Sequence, residues 1–246
     1  MELEFYILLL IAASAFIASY TQNVTGFGFG IVAMIFFPSL LVYTEANMLS
    51  TILGALTSVL VGITLYRRIN WKNLIFPLAG SLVFNYISVT FMKNVKNDTL
   101  VLLLGIALFV LSVYFFFFTS KIKIRPTWYA GLIAGSLSGV MAGLFSIGGP
   151  PIVIYYMQSE KDTDNYLATV SAYFVFSGVI GVSIKAASGF MTPNVWAALV
   201  FGILGMVIGS FLGRLTRSKI KPSAIKKSVY AVMALSGLIN IITVLA

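Results

Sequence analysis

The chain has no cysteine and no histidine. The first absence excludes disulfides and thiolate nucleophiles and leaves redox compartment undetermined. The second removes imidazole as metal ligand, general base or pH switch. Acidic residues are scarce, seven Asp and Glu against sixteen Lys and Arg, and none of the seven lies inside a long apolar segment. A buried carboxylate relay of the kind that proton-coupled carriers use is therefore absent. With no His, Cys or intramembrane carboxylate available for acid–base or nucleophilic work, the chain is not expected to be an enzyme. No cofactor is expected. Charged residues of both signs make up 9% of 246 residues, too few to clothe a soluble domain of that size.

What remains is apolar. A hydrophobic fraction of 59% and a mean hydropathy of +1.00 define an integral membrane protein. Short polar loops divide it into eight hydrophobic segments: 3–43, 47–66, 73–92, 99–118, 128–158, 165–187, 194–213 and 225–245. The expected fold class is all-α, a single membrane domain. The formal charge of +9 invites a nucleic-acid partner, but the basic residues sit in short loops, as membrane topology requires, and the lipid bilayer is the partner expected. Met1 to Glu4 lack the positive region of a signal peptide, so the first segment is read as part of the mature protein.

The stretch from Gly139 to Tyr156, G-V-M-A-G-L-F-S-I-G-G-P-P-I-V-I-Y-Y, lies in an uncharged run long enough to cross a bilayer. Gly148 and Gly149 weaken helix, and Pro150 and Pro151 have no N–H to donate. The reading is two half-helices, 128–143 and 150–158, joined by a non-helical turn, which is tolerated at membrane depth only where protein or a cavity surrounds it. The first segment carries a second copy, with arms 3–20 and 30–43 broken at Gln22, Asn23 and T-G-F-G-F-G (Thr25 to Gly30). A shift of 120 residues places Gly28 on Gly148 and Gly30 on Pro150, which indicates duplication into repeats 1–122 and 123–246.

Basic residues test the hairpins. If both broken segments enter and leave on one face, thirteen Lys and Arg collect on one side and three, Lys93, Lys96 and Lys185, on the other. That asymmetry fits the positive-inside rule and puts both termini outside the cytoplasm. Each repeat is then a re-entrant broken-helix hairpin plus three transmembrane helices. Three crossings are an odd number, so the repeats are inverted and the hairpin tips are expected to meet near the bilayer midplane.

At each tip a half-helix begins, near Gly30 and near Pro150. Helix N-termini present free N–H groups and partial positive charge, a setting for an anion. The expected substrate-binding set is Gln22, Asn23, Thr25, Gly26, Gly28, Gly30, Ser146, Gly148, Gly149 and Pro150. Bulk at Gly148 or Gly149 is expected to cost binding more than folding, whereas Gly139 and Gly143 read as helix-packing positions. Lys185 is expected to snorkel to the interface, and Tyr155 and Tyr156 to anchor there. Asn47, Ser50, Thr57, Asn85, Ser171 and Ser177 divide between cavity lining and interhelical hydrogen bonds.

T-G-F-G-F-G (25–30) and S-I-G-G-P-P-I-V-I-Y-Y (146–156), half a chain apart in a basic protein of eight hydrophobic segments, resemble the TauE/SafE sulfite-exporter family over the whole chain. The resemblance implies a prokaryotic plasma-membrane transporter of sulfite, sulfoacetate or related organosulfonates. It also implies an arginine near the start of the sixth segment, where this chain has Asn165 and Tyr166. The function expected is export of a small anion by alternating access, and a homodimer is compatible with it. The alternatives are a passive anion channel of the same fold and a membrane-embedded accessory subunit without transport. For an anion, the membrane potential alone favours exit by about 2.3 kcal/mol per charge per 100 mV.

Overall fold

A computed structural model describes residues 4–117, 125–216, 219 and 222–245. The basic residues Lys121, Lys123, Arg217 and Lys221 lie outside the described residues. The described chain is helical throughout: α1 (Phe5–Thr25), α2 (Phe29–Phe36) with a 3₁₀ turn Phe37–Ser39, α3 (Tyr43–Gly62), α4 (Trp71–Lys93) and α5 (Asn97–Phe117). The second half follows with α6 (Trp128–Phe145), α7 (Gly149–Ser159), α8 (Thr163–Ala187), α9 (Pro193–Thr216) and α10 (Pro222–Leu245). Among the described residues, eight helices are long and apolar enough to cross a membrane, all except α2 and α7. The chain is a multi-pass membrane protein.

Both expected breaks occur, at 26–28 and 146–148. The first arms are longer than expected, 21 residues in α1 and 18 in α6. Gln22, Asn23 and Thr25 therefore belong to α1 rather than to the break. They are helix-compatible because Asn23 Nδ2 donates to the Ser19 carbonyl (2.9 Å) and Thr25 Oγ1 to that of Thr21 (2.8 Å), satisfying polar groups along the helix itself.

α1 packs along α9, and α6 along α4; α5 pairs with α10 and α3 with α8; α4 also meets α8, and α9 meets α3. Exchanging α1–α5 in order with α6–α10 turns each pairing into another of the set or into itself. Close approach rests on glycine. A Cβ on Gly135 would overlap the Pro77 carbonyl of α4, and one on Gly139 would lie 2.6 Å from the Ser81 carbonyl. Gly139 and Gly143 thus pack as expected. On the other pair, Gly205 and Gly209 of α9 meet the Ala12 and Phe16 carbonyls of α1.

The exterior is apolar, and polar side chains lie inside beside an apolar core. Trp71, Phe84, Phe117, Trp196 and Ile242 are exposed, while Gln22, Asn47, Ser50, Thr57, Ser58, Asn85 and Ser138 are buried. The core between the hairpins is Phe29, Tyr43, Leu49, Leu53, Tyr156 and Tyr173. Tyr155 and Tyr156 are buried instead of anchoring at an interface. Pro77, inside α4, has no N–H for the Asn73 carbonyl four residues back, and the Tyr156 hydroxyl donates to that carbonyl (3.2 Å).

Candidate functional site

The site is built from the two breaks. At the first, Gly26 (φ 86°) and Gly28 (φ 107°) take left-handed backbone, which glycine adopts without strain, and α2 starts at Phe29. At the second, Ser146 itself is left-handed (φ 58°). Its N–H donates to the Ala142 carbonyl (3.0 Å), and the Ile147 N–H to that of Met141 (3.1 Å), closing α6. Pro150 and Pro151 occupy the first turn of α7, where a missing N–H breaks no helical bond. They also leave Gly149 as the N–H donor of that turn ahead of Ile152.

The tips touch. A Cβ on Gly30 would collide with the Ser146 carbonyl, so only glycine permits this approach. Tyr173 Oη donates to Ser138 Oγ (2.8 Å), which donates to the Gly148 carbonyl, fixing the second tip to α6 and α8. Beside the contact lies a cavity of about 80 Å³. One water needs roughly 10–15 Å³ on that measure, so the space suits a small oxyanion.

Of the ten expected residues, Gln22, Gly28, Gly30, Ser146, Gly148 and Gly149 line this cavity. Asn23, Thr25, Gly26 and Pro150 do not. Asn23 and Thr25 bond back to their own helix, Gly26 packs against Leu167, and Pro150 faces a groove on the other side of α7. Gly148 packs as well as lines: a Cβ there would lie 2.9 Å from both Ala142 Cβ and Ser138 Oγ, so bulk at Gly148 strikes α6, contrary to expectation. At Gly149 a Cβ would meet only Phe27 and Phe174, at 3.5 and 3.7 Å.

Among the polar helix positions, Ser50, Asn85 and Ser177 line the cavity, whereas Asn47, Thr57 and Ser171 do not. Ser50 Oγ and Asn85 Oδ1 are buried without a hydrogen-bond partner. Thr51, Ser58 and Ser138 were not singled out from the sequence. Ser50, Gly54 and Ser58 recur every four residues, a small polar stripe on one face of α3 that could have revealed the wall. Gln22 Nε2 donates to Ser58 Oγ (2.8 Å), joining α1 to that stripe.

Lys185 overturns its expectation. It is completely buried, not snorkelling. It lies one turn beyond Gly181, which packs on Thr51 and Asn85, so α8 carries it inward. Nζ donates to Thr51 Oγ1 (2.6 Å) and to the Ala142 carbonyl (3.1 Å) near the end of α6. Among the described residues the ion pairs join Arg68 to Asp162 and Asp164, and none involves Lys185. Glu45 stands at a helix end, as expected, but is buried, accepting from Thr192 Oγ1 (2.7 Å) and Asn194 Nδ2 (3.2 Å).

An all-helical body with an apolar exterior, buried polar side chains and a small cavity between two broken helices is the build of a membrane transporter. The chain matches the family model described as Sulfite exporter TauE/SafE over residues 11–239 and belongs to that family. It is 23% identical over 222 residues to the "Probable sulfite/organosulfonate exporter TauE" of Cupriavidus necator, an alignment covering 87% of this chain and 86% of that protein. No solved structure matches.

Proposed function

We propose that this protein exports a small sulfur-containing anion, sulfite, sulfoacetate or another organosulfonate, across a prokaryotic plasma membrane by alternating access. Repeats 1–122 and 123–246 are inverted and move about the touching tips. The observation that carries this reading is the cavity between the tips. The free N–H groups at the start of α2, the Gly149 N–H and the unpartnered Ser50 hydroxyl are donors at its wall. The exchange of helix pairings between the halves supports the repeats. The name of the Cupriavidus relative supports the cargo and the direction.

The test is counterflow in liposomes. Purified protein loaded with unlabelled sulfite is expected to accumulate labelled sulfite transiently, with saturation. Uptake that dissipates without an overshoot supports a channel instead. No sulfur-anion flux and no stabilisation by these anions supports an accessory subunit.

A further inference from the structure

We propose that Lys185 sets the charge of the cavity, giving it one positive charge that a single monoanionic head, such as a sulfonate, neutralises. The inference rests on the transport reading above and goes beyond it.

A broken helix brings two ends to its tip. The N-terminus of the second arm carries about half a positive charge, and the C-terminus of the first arm about half a negative charge. Here α1 ends where α2 begins, and α6 ends where α7 begins, each within three residues. The four ends cancel to first order, so the half-helices alone do not select an anion. Something has to silence the carbonyl ends.

At the second tip three side chains do so. Tyr43 Oη and Asn47 Nδ2 donate to the Leu144 carbonyl at 2.7 and 2.8 Å, and Lys185 Nζ donates to that of Ala142. Tyrosine and asparagine bring no net charge; Lys185 does. Its ammonium has three protons and two neutral acceptors in this structure. A cation buried without a counter-ion is costly, and the missing negative charge is the one the cargo carries. The buried carboxylate nearest along α3, Glu45, is six residues from Thr51, about 9 Å of helix rise, and is held by the start of α9.

Lys185 does not line the cavity, so it acts through Thr51 and Ser146, as a positioning residue. Thr51 Oγ1 lies 2.8 Å from the Asn47 carbonyl and 3.0 Å from Ser146 Oγ, which lines the cavity. Thr51 has one proton. Donated to Asn47, it leaves Ser146 to donate back to Thr51 and to offer lone pairs to the cavity. Donated to Ser146, it frees the Ser146 proton for the cargo. An anion selects the second arrangement, and the Lys185 ammonium against Thr51 polarises it. The unpartnered Ser50 hydroxyl in the same wall is a further donor awaiting a ligand.

The competing account is that Lys185 only caps α6. The test measures ligand-dependent melting shifts and counterflow on the full protein with methanesulfonate, sulfate and the neutral isostere dimethyl sulfone at constant ionic strength. Wild type is expected to respond to methanesulfonate, more weakly to sulfate and not to the sulfone. Lys185→Met is expected to melt no lower than wild type without ligand, yet to bind methanesulfonate about tenfold or more weaker, with Lys185→Arg recovering part of the loss. Thr51→Val keeps the charge and breaks the relay, and is expected to fall between them. A Met variant within twofold of wild type overturns the inference and leaves the transport reading intact. So does a wild-type protein that responds to the sulfone or to sulfate as well as to methanesulfonate, which decides the matter even if the Met variant does not fold. A wild type that neither binds nor moves any sulfur oxyanion removes the transport reading itself.

Discussion

Ser146 occupies a conformation that a serine does not choose. Among the described residues it is the non-glycine at positive φ, and left-handed backbone costs roughly 1–2 kcal/mol for a residue with a Cβ. Glycine would close α6 equally well, so the hydroxyl is present for the cavity and for Thr51, not for the turn. Ser146→Gly is therefore expected to hold or raise stability by up to about 1 kcal/mol while reducing transport about tenfold or more. Melting temperature and counterflow check the two halves separately, and unchanged transport would confine Ser146 to the fold. Ser146 was legible in the sequence because G-G-P-P follows it. Lys185 was not, because distance from a segment end says nothing about which helix face a side chain takes. Thr51 and Ser138 were invisible for a different reason. Serine and threonine bond their own helix in many membrane spans, and only the neighbouring helices reveal which ones open to a cavity.

The two helix breaks were the most legible features, since alternate glycines at the first and Gly-Gly-Pro-Pro at the second interrupt a helix. The extent of α1 was not, because Gln22, Asn23 and Thr25 read as an interruption yet satisfy their polar groups within or beside the helix. Pro77 in α4 shows how one element prepares the seat for another. By withholding its N–H it leaves the Asn73 carbonyl to Tyr156 of α7, while Asn73 Nδ2 donates to Glu160 Oε1 at the end of α7 (2.7 Å). α7 is thus pinned to the first turn of α4. Tyr156→Phe is expected to cost about 1 kcal/mol of unfolding free energy. In a Pro77→Ala background the restored N–H competes for the same carbonyl, and the cost of Tyr156→Phe should fall to less than half. A double-mutant cycle in detergent measures this coupling, and equal costs in both backgrounds would place the stabilisation of α7 elsewhere.

At the scale of the molecule, the two halves follow one packing plan but do not repeat it perfectly. α2 packs on α10, whereas α7 makes no comparable contact with α5, and a groove of about 540 Å³ opens there between Val110, Ile133, Leu137 and Ile154. In the inverted-repeat reading, such a departure is what distinguishes one access state from the other, because a perfectly symmetric pair would open to both sides alike. The slide of 120 residues matched the two breaks to each other, but not which helices pair between the halves, since glycine serves on the arm before the break in α6 and on the partner α9 opposite α1. With Lys185 buried, the basic residues divide thirteen against two, Lys93 and Lys96, which sharpens the asymmetry behind the proposed topology. A chain without cysteine allows a direct test. Asn94 and Lys161 are both exposed, one between α4 and α5, the other between α7 and α8. If the second hairpin returns to the face it entered, the loops at 94 and 161 are on opposite sides. Asn94→Cys is then expected to react with an impermeant thiol reagent on intact cells, and Lys161→Cys only after permeabilisation. If α6 and α7 together crossed the membrane, both positions would lie on one side, and labelling of both from outside would remove the re-entrant hairpin and, with it, the inverted relation of the repeats.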